Sequence, residues 1–331
     1  MNLLRSKIMP ISLICVGLLV VIALSQSVQA GAECASLGGA CDDDGWNPVQ
    51  KLDEIGTGNY QSSQASPKWP EKSRQTRWNM SYSGLDSEDR RIEMIEIDEI
   101  SNSDVLLDVS ANAAEHISGS LAIPYNKFQQ DDSLKSVNEI AEILGRAGIS
   151  QDDSLVIYGE CLPCGGGPSA STYVYWMMKS LGHENVRILN GYVQDWKERG
   201  LPTSSEAIFR PAVKYTPAFT DRLVASYDYV NSGMAQVIDA RTVQEYGTGS
   251  IPDAISIPYE SILDGDKIKN ESELEKRFSP LDKERPAVVF TNTGFKASVV
   301  WFALKLMGFD AKLYSYEDWN ANQADEQNSR H

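Results

Sequence analysis

From about residue 91 onward, the chain contains one order of apolar runs and helical stretches twice. Each half has two short apolar runs, a helical stretch, a further apolar run, and a tryptophan after a turn. Strands that alternate with helices form parallel sheets covered on both faces. The pattern therefore predicts an α/β fold with two related domains. The matched segments are 105–109, 155–158, 171–181 and 186–189 in the first half, and 235–240, 287–290, 293–308 and 311–314 in the second.

The two halves do not account for the whole chain. Residues 31–90 are polar, show no sustained period of 2 or 3.6, and include Trp46, Trp69 and Trp78. We interpret them as an irregular extension that packs its tryptophans on the main body. A second helical stretch, 134–147, lies within the first half, and 203–215 is the predicted linker. The predicted organisation is a signal peptide (1–30), the extension (31–90), the first domain (91–205) and the second domain (215–325).

The N-terminus has the three-part pattern of a secretory signal peptide. Arg5 and Lys7 precede a nearly apolar run, 11–24, and Val28-Gln29-Ala30 follows it. That run has 14 residues, fewer than the ~20 that span a bilayer. We therefore expect cleavage before Gly31 and an exported protein, periplasmic, extracellular or at the cell surface, with no membrane contact afterwards. An uncleaved anchor helix and a lipoprotein are the alternatives; Glu33 disfavours the second.

The charge of the chain restricts its partners. Acidic residues number 46 against 30 basic ones, which gives a net charge of −16 and a pI near 4.7. Such a chain is repelled by nucleic acids and anionic membranes, so we expect neither as a partner. The charge does not indicate an oligomeric state.

Two pairs of cysteines follow the signal peptide, in which Cys15 lies. Cys34 and Cys41 flank a glycine-rich segment, and in an exported protein they are candidates for a small disulfide loop. Cys161 and Cys164 lie in a glycine-rich loop between an apolar run and a helical stretch. This second pair is the candidate for chemistry.

The second half resembles a rhodanese domain. The resemblance rests on Asp239-Ala240-Arg241, followed by Gly249, Ile251-Pro252 and Ile257-Pro258. It implies a doubly wound parallel sheet in each domain, and sulfur transfer through a cysteine persulfide without a cofactor. It extends over residues 92–325, because the first half keeps a reduced version of the motif, with Asp108, His116-Ile117, Gly119, Ile123-Pro124 and the closing Asn190-Gly191.

The resemblance also implies where a reactive cysteine belongs, directly after the strand 287–290. Thr291 stands there, and a hydroxyl cannot carry sulfane sulfur. The second domain is therefore predicted to be catalytically silent. Asp239 and Arg241 are interpreted as an ion pair that positions the loop. Asp108 is its first-domain counterpart, where Ser110 replaces the arginine.

In the first-domain loop, Gly159–Ser169, the position of the reactive cysteine depends on the direction of counting. Counted from the strand, the position of the reactive cysteine is Gly159. Counted from the helix, it falls near Cys164, which precedes Gly182 by 18 residues, while Thr291 precedes Gly308 by 17. A helix N-terminus stabilises a thiolate and so lowers its pKa. We predict Cys164 as the sulfur carrier and Cys161 as a resolving thiol. The predicted substrate-binding donors are Gly165, Gly166, Gly167 and Ser169.

The leading hypothesis is an exported sulfurtransferase whose partners are a small sulfur-containing anion and a thiol acceptor. A non-catalytic sulfur- or anion-binding module and a thiol–disulfide oxidoreductase are the alternatives. The Cys161–Cys164 pair can also be an inert disulfide. A metal site is disfavoured, because zinc needs two more ligands than the pair supplies.

Overall fold

The computed structural model describes residues 93–130, 133–161 and 166–329, all within one compact unit. The signal peptide, the extension and the Cys34–Cys41 pair lie outside the described residues. No helix in the described ranges is long and apolar enough to cross a membrane.

The first domain is built on a five-stranded parallel sheet with strand order β1-β8-β7-β2-β4. Two short antiparallel pairs, β3 with β9 and β5 with β6, lie beside it. The strands are β1 (Met94–Ile95), β2 (Asp104–Asp108), β3 (His116–Ile117), β4 (Leu121–Ala122), β5 (Gln129–Gln130), β6 (Ser133–Leu134), β7 (Ser154–Tyr158), β8 (Val186–Leu189) and β9 (Thr203–Ser204). The helices are α1 (Val137–Arg146), α2 (Ser169–Ser180) and α3 (Val193–Glu198).

Helix α1 begins three residues after the start of the predicted stretch. The Ser136 hydroxyl accepts the N–H of Glu139, and the Glu139 carboxylate accepts the N–H of Ser136. This capping box fixes the first turn at Val137. Leu134, the first residue of the predicted helix, pairs instead with Gln129 between β6 and β5.

The second domain has a four-stranded parallel sheet with strand order β11-β10-β14-β15. Its strands are β10 (Gln236–Asp239), β11 (Ile255–Ser256), β14 (Ala287–Thr291) and β15 (Ala311–Ser315), with the antiparallel hairpin β12 (Leu263–Asp264) and β13 (Lys267–Ile268). Its helices are α4 (Tyr227–Asn231), α5 (Val243–Thr248), α6 (Glu271–Phe278), α7 (Ala297–Leu306) and α8 (Tyr316–Ser329). Helix α7 starts later than the predicted 293, because Gly294 N–H donates to the Thr291 hydroxyl in a turn (2.9 Å).

The two domains share one hydrophobic core. Helices α2 and α7 pack against each other, and the Thr172 and Ser298 hydroxyls lie 2.8 Å apart between them. The Tyr175 ring meets Phe302 edge-on, with centroids 5.1 Å apart. Both helices are buried on nearly every face. Their sequences accordingly lack the polar face of a surface helix.

The predicted linker packs on the first domain. Its first residues form β9, which pairs with β3. Further along, Ile208 N–H donates to the Ser120 carbonyl and Val213 N–H to the Gly145 carbonyl, both at 2.9 Å. Gly145 is required there, because a β-carbon on it would lie 2.5 Å from the Val213 carbonyl oxygen.

Candidate active site

The lengths of the strand-to-helix loops differ between the two domains. Strand registers pair Asp108 with Tyr158 and Asp239 with Phe290, so Gly159 and Thr291 follow at equivalent positions. Thr172 follows Tyr158 by 14 positions and Ser298 follows Phe290 by 8, which makes the first-domain loop 6 residues longer. Both cysteines of the pair lie in this longer loop. It joins the carboxyl end of a parallel strand to a helix N-terminus, the usual ligand position in such sheets.

Cys161 is fully buried, and it is disulfide-bonded. Its sulfur lies 3.4 Å from the Tyr125 hydroxyl, which is itself buried. The described residues contain no other cysteine; Cys164 and Gly165 lie outside them. A donor molecule in solvent therefore has no direct access to the Cys161 sulfur.

Two of the predicted substrate-binding glycines, Gly166 and Gly167, donate hydrogen bonds within their own loop. Gly166 N–H donates to the Cys161 carbonyl (2.9 Å), and Gly167 N–H donates to the Glu160 carboxylate. Both glycines have positive φ, 83° and 77°. Residues with a β-carbon rarely adopt that conformation. The glycines thus give the loop its shape, and these two N–H groups already have acceptors.

Ser169, the remaining predicted donor, is the first residue of α2 and is 4% exposed. Its hydroxyl has no hydrogen-bond partner in the structure as described. A buried polar group without a partner is uncommon in a folded protein. The hydroxyl is free to donate to an anion at the helix N-terminus.

The two predicted positioning aspartates are buried and hold equivalent turns. Asp108 accepts the Ser110 N–H (2.9 Å), and its second oxygen lies 2.8 Å from His116 Nδ1. Asp239 accepts the Arg241 N–H (3.0 Å) and forms a buried ion pair with the Arg241 guanidinium (2.6 Å). His116 thus contacts the aspartate that has no arginine partner in the first domain.

A pocket of about 460 Å³ opens beside the cysteine loop, at the carboxyl ends of β2 and β7. Desolvation raises the pKa of Glu160 in its wall, and the charges of Asp266 and Asp195 raise it further. Two ion pairs lie nearby, Lys197 with Glu115 (2.7 Å) and Lys267 with Asp195. The lining residues are Ser110, Ala111, Asn112, Ala113, Ala114, Glu115, Tyr158, Gly159, Glu160, Tyr192, Val193, Gln194 and Lys197.

The acidic surroundings of this pocket were not foreseen from the sequence. Asp266 belongs to the β12–β13 hairpin of the second domain, and its carbonyl accepts the Tyr192 hydroxyl (2.7 Å). These two residues are 74 positions apart in the sequence, and no local sequence pattern predicts such a contact. In the described part of the chain, no group of three or more His, Cys, Asp or Glu residues is arranged to hold a metal ion.

Side chains fill the corresponding space in the second domain. The Arg241 guanidinium lies 3.9 Å from the centroid of the Tyr316 ring, and that ring stacks on Phe290. Strand registers place Ser110 of the first domain at the position of Arg241. The first domain is thus open where the second is closed.

The second-domain loop has no thiol. Thr291 is 1% exposed, and its hydroxyl accepts the Gly294 N–H. The Lys296 ammonium group lies over the Tyr259 ring, 4.8 Å from the centroid.

Comparison with known families decides what this fold is. The model of the rhodanese-like domain matches residues 93–199 and again residues 225–322. The chain belongs to the rhodanese-like family. This confirms both the family and the paired α/β fold predicted from the sequence.

The similar proteins are sulfurtransferases and a sulfur carrier by name, and the chain is an enzyme of this sulfurtransferase family. A Mycobacterium bovis protein named "Putative thiosulfate sulfurtransferase 1" is 26% identical over 245 residues, 65% of this chain and 82% of that protein. The Thermus thermophilus sulfur carrier protein TtuD is 29% identical over 266 residues, 70% of this chain and 89% of TtuD. The crystal structure of SseA, a 3-mercaptopyruvate sulfotransferase from Escherichia coli, shares the fold, with a TM-score of 0.60 and 22% identity over 67% of this chain and 97% of SseA.

Proposed function

We propose that this protein is an exported tandem sulfurtransferase. It takes sulfane sulfur from thiosulfate or a persulfide donor onto a cysteine and passes it to a thiol or to cyanide. The observation that supports this proposal is the contrast between the strand-to-helix loops of the two domains. The lengthened first-domain loop holds Cys161 at the N-terminal side of α2, whereas Thr291 occupies the second-domain position. Only the first loop contains a sulfur nucleophile.

In this proposal Cys164 is the sulfur carrier. Its thiolate attacks the outer sulfur of thiosulfate, the sulfur–sulfur bond breaks, and sulfite leaves with the bonding electrons. The dipole of α2 and the unpartnered Ser169 hydroxyl stabilise the anionic sulfur. The thiolate of the acceptor then attacks the outer sulfur of the persulfide, and the Cys164 thiolate is released.

The burial of Cys161 supports a different role for it. A fully buried sulfur is reached by a neighbouring group of the loop more readily than by a soluble donor. Attack of the Cys161 thiolate on the inner sulfur of a Cys164 persulfide forms a disulfide and releases hydrosulfide. A reductant, such as an external thiol, restores both thiolates.

Persulfide mapping on the reduced full-length protein tests this assignment. After brief exposure to thiosulfate, mass spectrometry is expected to find one extra sulfur atom on the peptide containing Cys164. Cys164→Ser is expected to abolish the adduct, and Cys161→Ser to let it accumulate and to slow the release of sulfide. The opposite pattern would exchange the two roles. Unchanged sulfur uptake in both variants would replace the enzyme with the binding-module hypothesis.

The disulfide at Cys161 favours a second candidate function, thiol–disulfide exchange. In that case the pair accepts electrons from a dithiol substrate, and no sulfur atom is transferred. Insulin reduction and the oxidation of a model dithiol peptide measure this activity. Rapid thiol–disulfide exchange by a protein that forms no persulfide would favour the oxidoreductase hypothesis.

Export is part of the proposal and rests on the sequence of residues 1–30. Cleavage after Val28-Gln29-Ala30 predicts a mature chain that begins at Gly31. N-terminal sequencing of protein taken from its native compartment measures this directly. Met1 or Met9 at the N-terminus would contradict cleavage.

A further inference from the structure

The pocket beside the cysteine loop lies where the second domain has a large side chain. Ser110 lines it at the position at which the Arg241 guanidinium lies in the second domain. The resulting space, about 460 Å³, lies in the usual size range of small-molecule sites. Gly159 and Glu160, the two residues before Cys161, line one wall. A molecule in this pocket therefore lies against the proposed sulfur-carrying loop.

The charges around this pocket do not balance. Lys197 neutralises Glu115, and Lys267 neutralises Asp195. Within the described ranges, no ion pair involves Glu160 or Asp266. Glu160 lines the wall, and among the described residues its carboxylate accepts the Gly167 N–H of its own loop. An uncompensated negative charge repels an anion and attracts a cation, most strongly where water is partly excluded.

We propose that this pocket binds the sulfur acceptor and selects a small thiol that carries an ammonium group, with Glu160 as its ion-pair partner. This inference rests on the proposed sulfurtransferase function and adds the acceptor class to it. The ammonium group lies against Glu160, which precedes the cysteine pair in the same loop. A thiol with a carboxylate in place of the ammonium group is repelled by the Glu160 carboxylate.

The reaction at this pocket is the second half of sulfur transfer. The acceptor thiolate attacks the outer sulfur of the protein persulfide. The bond from that sulfur to the protein sulfur breaks, the protein thiolate leaves with the electron pair, and the acceptor becomes a persulfide. No further oxidant or reductant is consumed.

The test uses full-length protein loaded with sulfur, freed of donor and mixed with one of three thiols. Cysteamine is cationic, 2-mercaptoethanol is neutral and 3-mercaptopropionate is anionic. Loss of the protein persulfide is followed by rapid-quench mass spectrometry, and second-order rate constants are compared at equal thiolate concentration. We expect cysteamine to exceed 3-mercaptopropionate by about tenfold, which corresponds to roughly 1.4 kcal/mol.

Glu160→Gln isolates the charge, because the amide oxygen still accepts the Gly167 N–H. We expect this variant to bring the cysteamine to 3-mercaptopropionate ratio close to one. The matched control is Glu142→Gln, an equal change of charge at an exposed position of α1, which should leave the ratio unchanged. The three-thiol series on the unaltered protein does not depend on the folding of any variant.

The outcomes separate this inference from the function on which it rests. Transfer to all three thiols at equal rates, or a ratio unaffected by Glu160→Gln, would overturn the acceptor assignment and leave the sulfurtransferase intact. Failure of the protein to form any persulfide would overturn the proposed function itself.

Discussion

Thr291 shows how one residue can keep the shape of a loop and lose its chemistry. Its hydroxyl accepts the Gly294 N–H at 2.9 Å, and its side chain is buried. The contact closes the turn that precedes α7. A threonine therefore satisfies the geometric demand at this position, although it cannot carry sulfane sulfur.

We predict that Thr291→Ala leaves the sulfurtransferase turnover within a few-fold of the parent. The expected loss is in folding stability, about 1–2 kcal/mol, because the buried Gly294 N–H loses its acceptor. Steady-state turnover and urea unfolding measure the two effects separately. A fall in turnover of about 100-fold, equivalent to about 2.7 kcal/mol in the barrier, would mean that the second domain takes part in catalysis.

At the level of elements, the connection between the domains is fastened by polar contacts as well as by strand pairing. The buried His183 ring lies 3.2 Å from the Tyr215 hydroxyl through Nδ1 and 2.8 Å from the Asp153 carbonyl through Nε2. Arg210 of the connection forms an ion pair with Asp153 (3.1 Å). Burial lowers the pKa of His183, so the folded protein prefers the neutral ring.

This preference predicts a loss of stability in mild acid. The unfolded chain takes up a proton at His183 near its ordinary pKa of about 6.5, while the folded protein resists it. The contribution is complete above that pH and declines as the pH falls below it. The free energy of unfolding, measured between pH 7.5 and 5.5, should therefore decrease more in the parent than in His183→Gln. Parallel pH profiles would show that this histidine does not titrate as proposed.

At the level of the whole molecule, the two domains are united by the buried faces of α2 and α7. One cluster of buried side chains includes Leu107 and Ile157 of the first domain as well as Val289 and Phe302 of the second. An interface this apolar is hydrated at a high free-energy cost when the domains separate. The two domains should therefore unfold together.

Phe302→Ala tests that cohesion. Phe302 is fully buried at the contact of α7 with Tyr175, so its truncation is expected to cost about 3–5 kcal/mol and to lower one shared transition. Phe209→Ala is the matched control, because that ring is 97% exposed and surface substitutions usually change stability by less than about 0.5 kcal/mol. Differential scanning calorimetry measures both. A variant whose first-domain transition stays unchanged would contradict joint unfolding.

The sequence determined the family, the repeat and the paired parallel sheets, since these depend on periodicity and on short motifs such as Asp239-Ala240-Arg241. It also located the cysteine loop, because Gly159 and Ser169 are bounded by a strand and a helix that local patterns define. The turn before α7 was harder to predict, because the hydrogen bond from the Gly294 N–H to the Thr291 hydroxyl forms only in the folded loop.

The tertiary structure alone decided the character of the pocket. Asp266 approaches Glu160 only when the β12–β13 hairpin packs across the domain boundary. The pocket brings together Glu115, Glu160 and Lys197, which lie far apart in the sequence. Both facts depend on residues distant in sequence that meet after folding. Electrostatic interactions act through space, so the potential at a site follows from the fold and not from the order of residues along the chain.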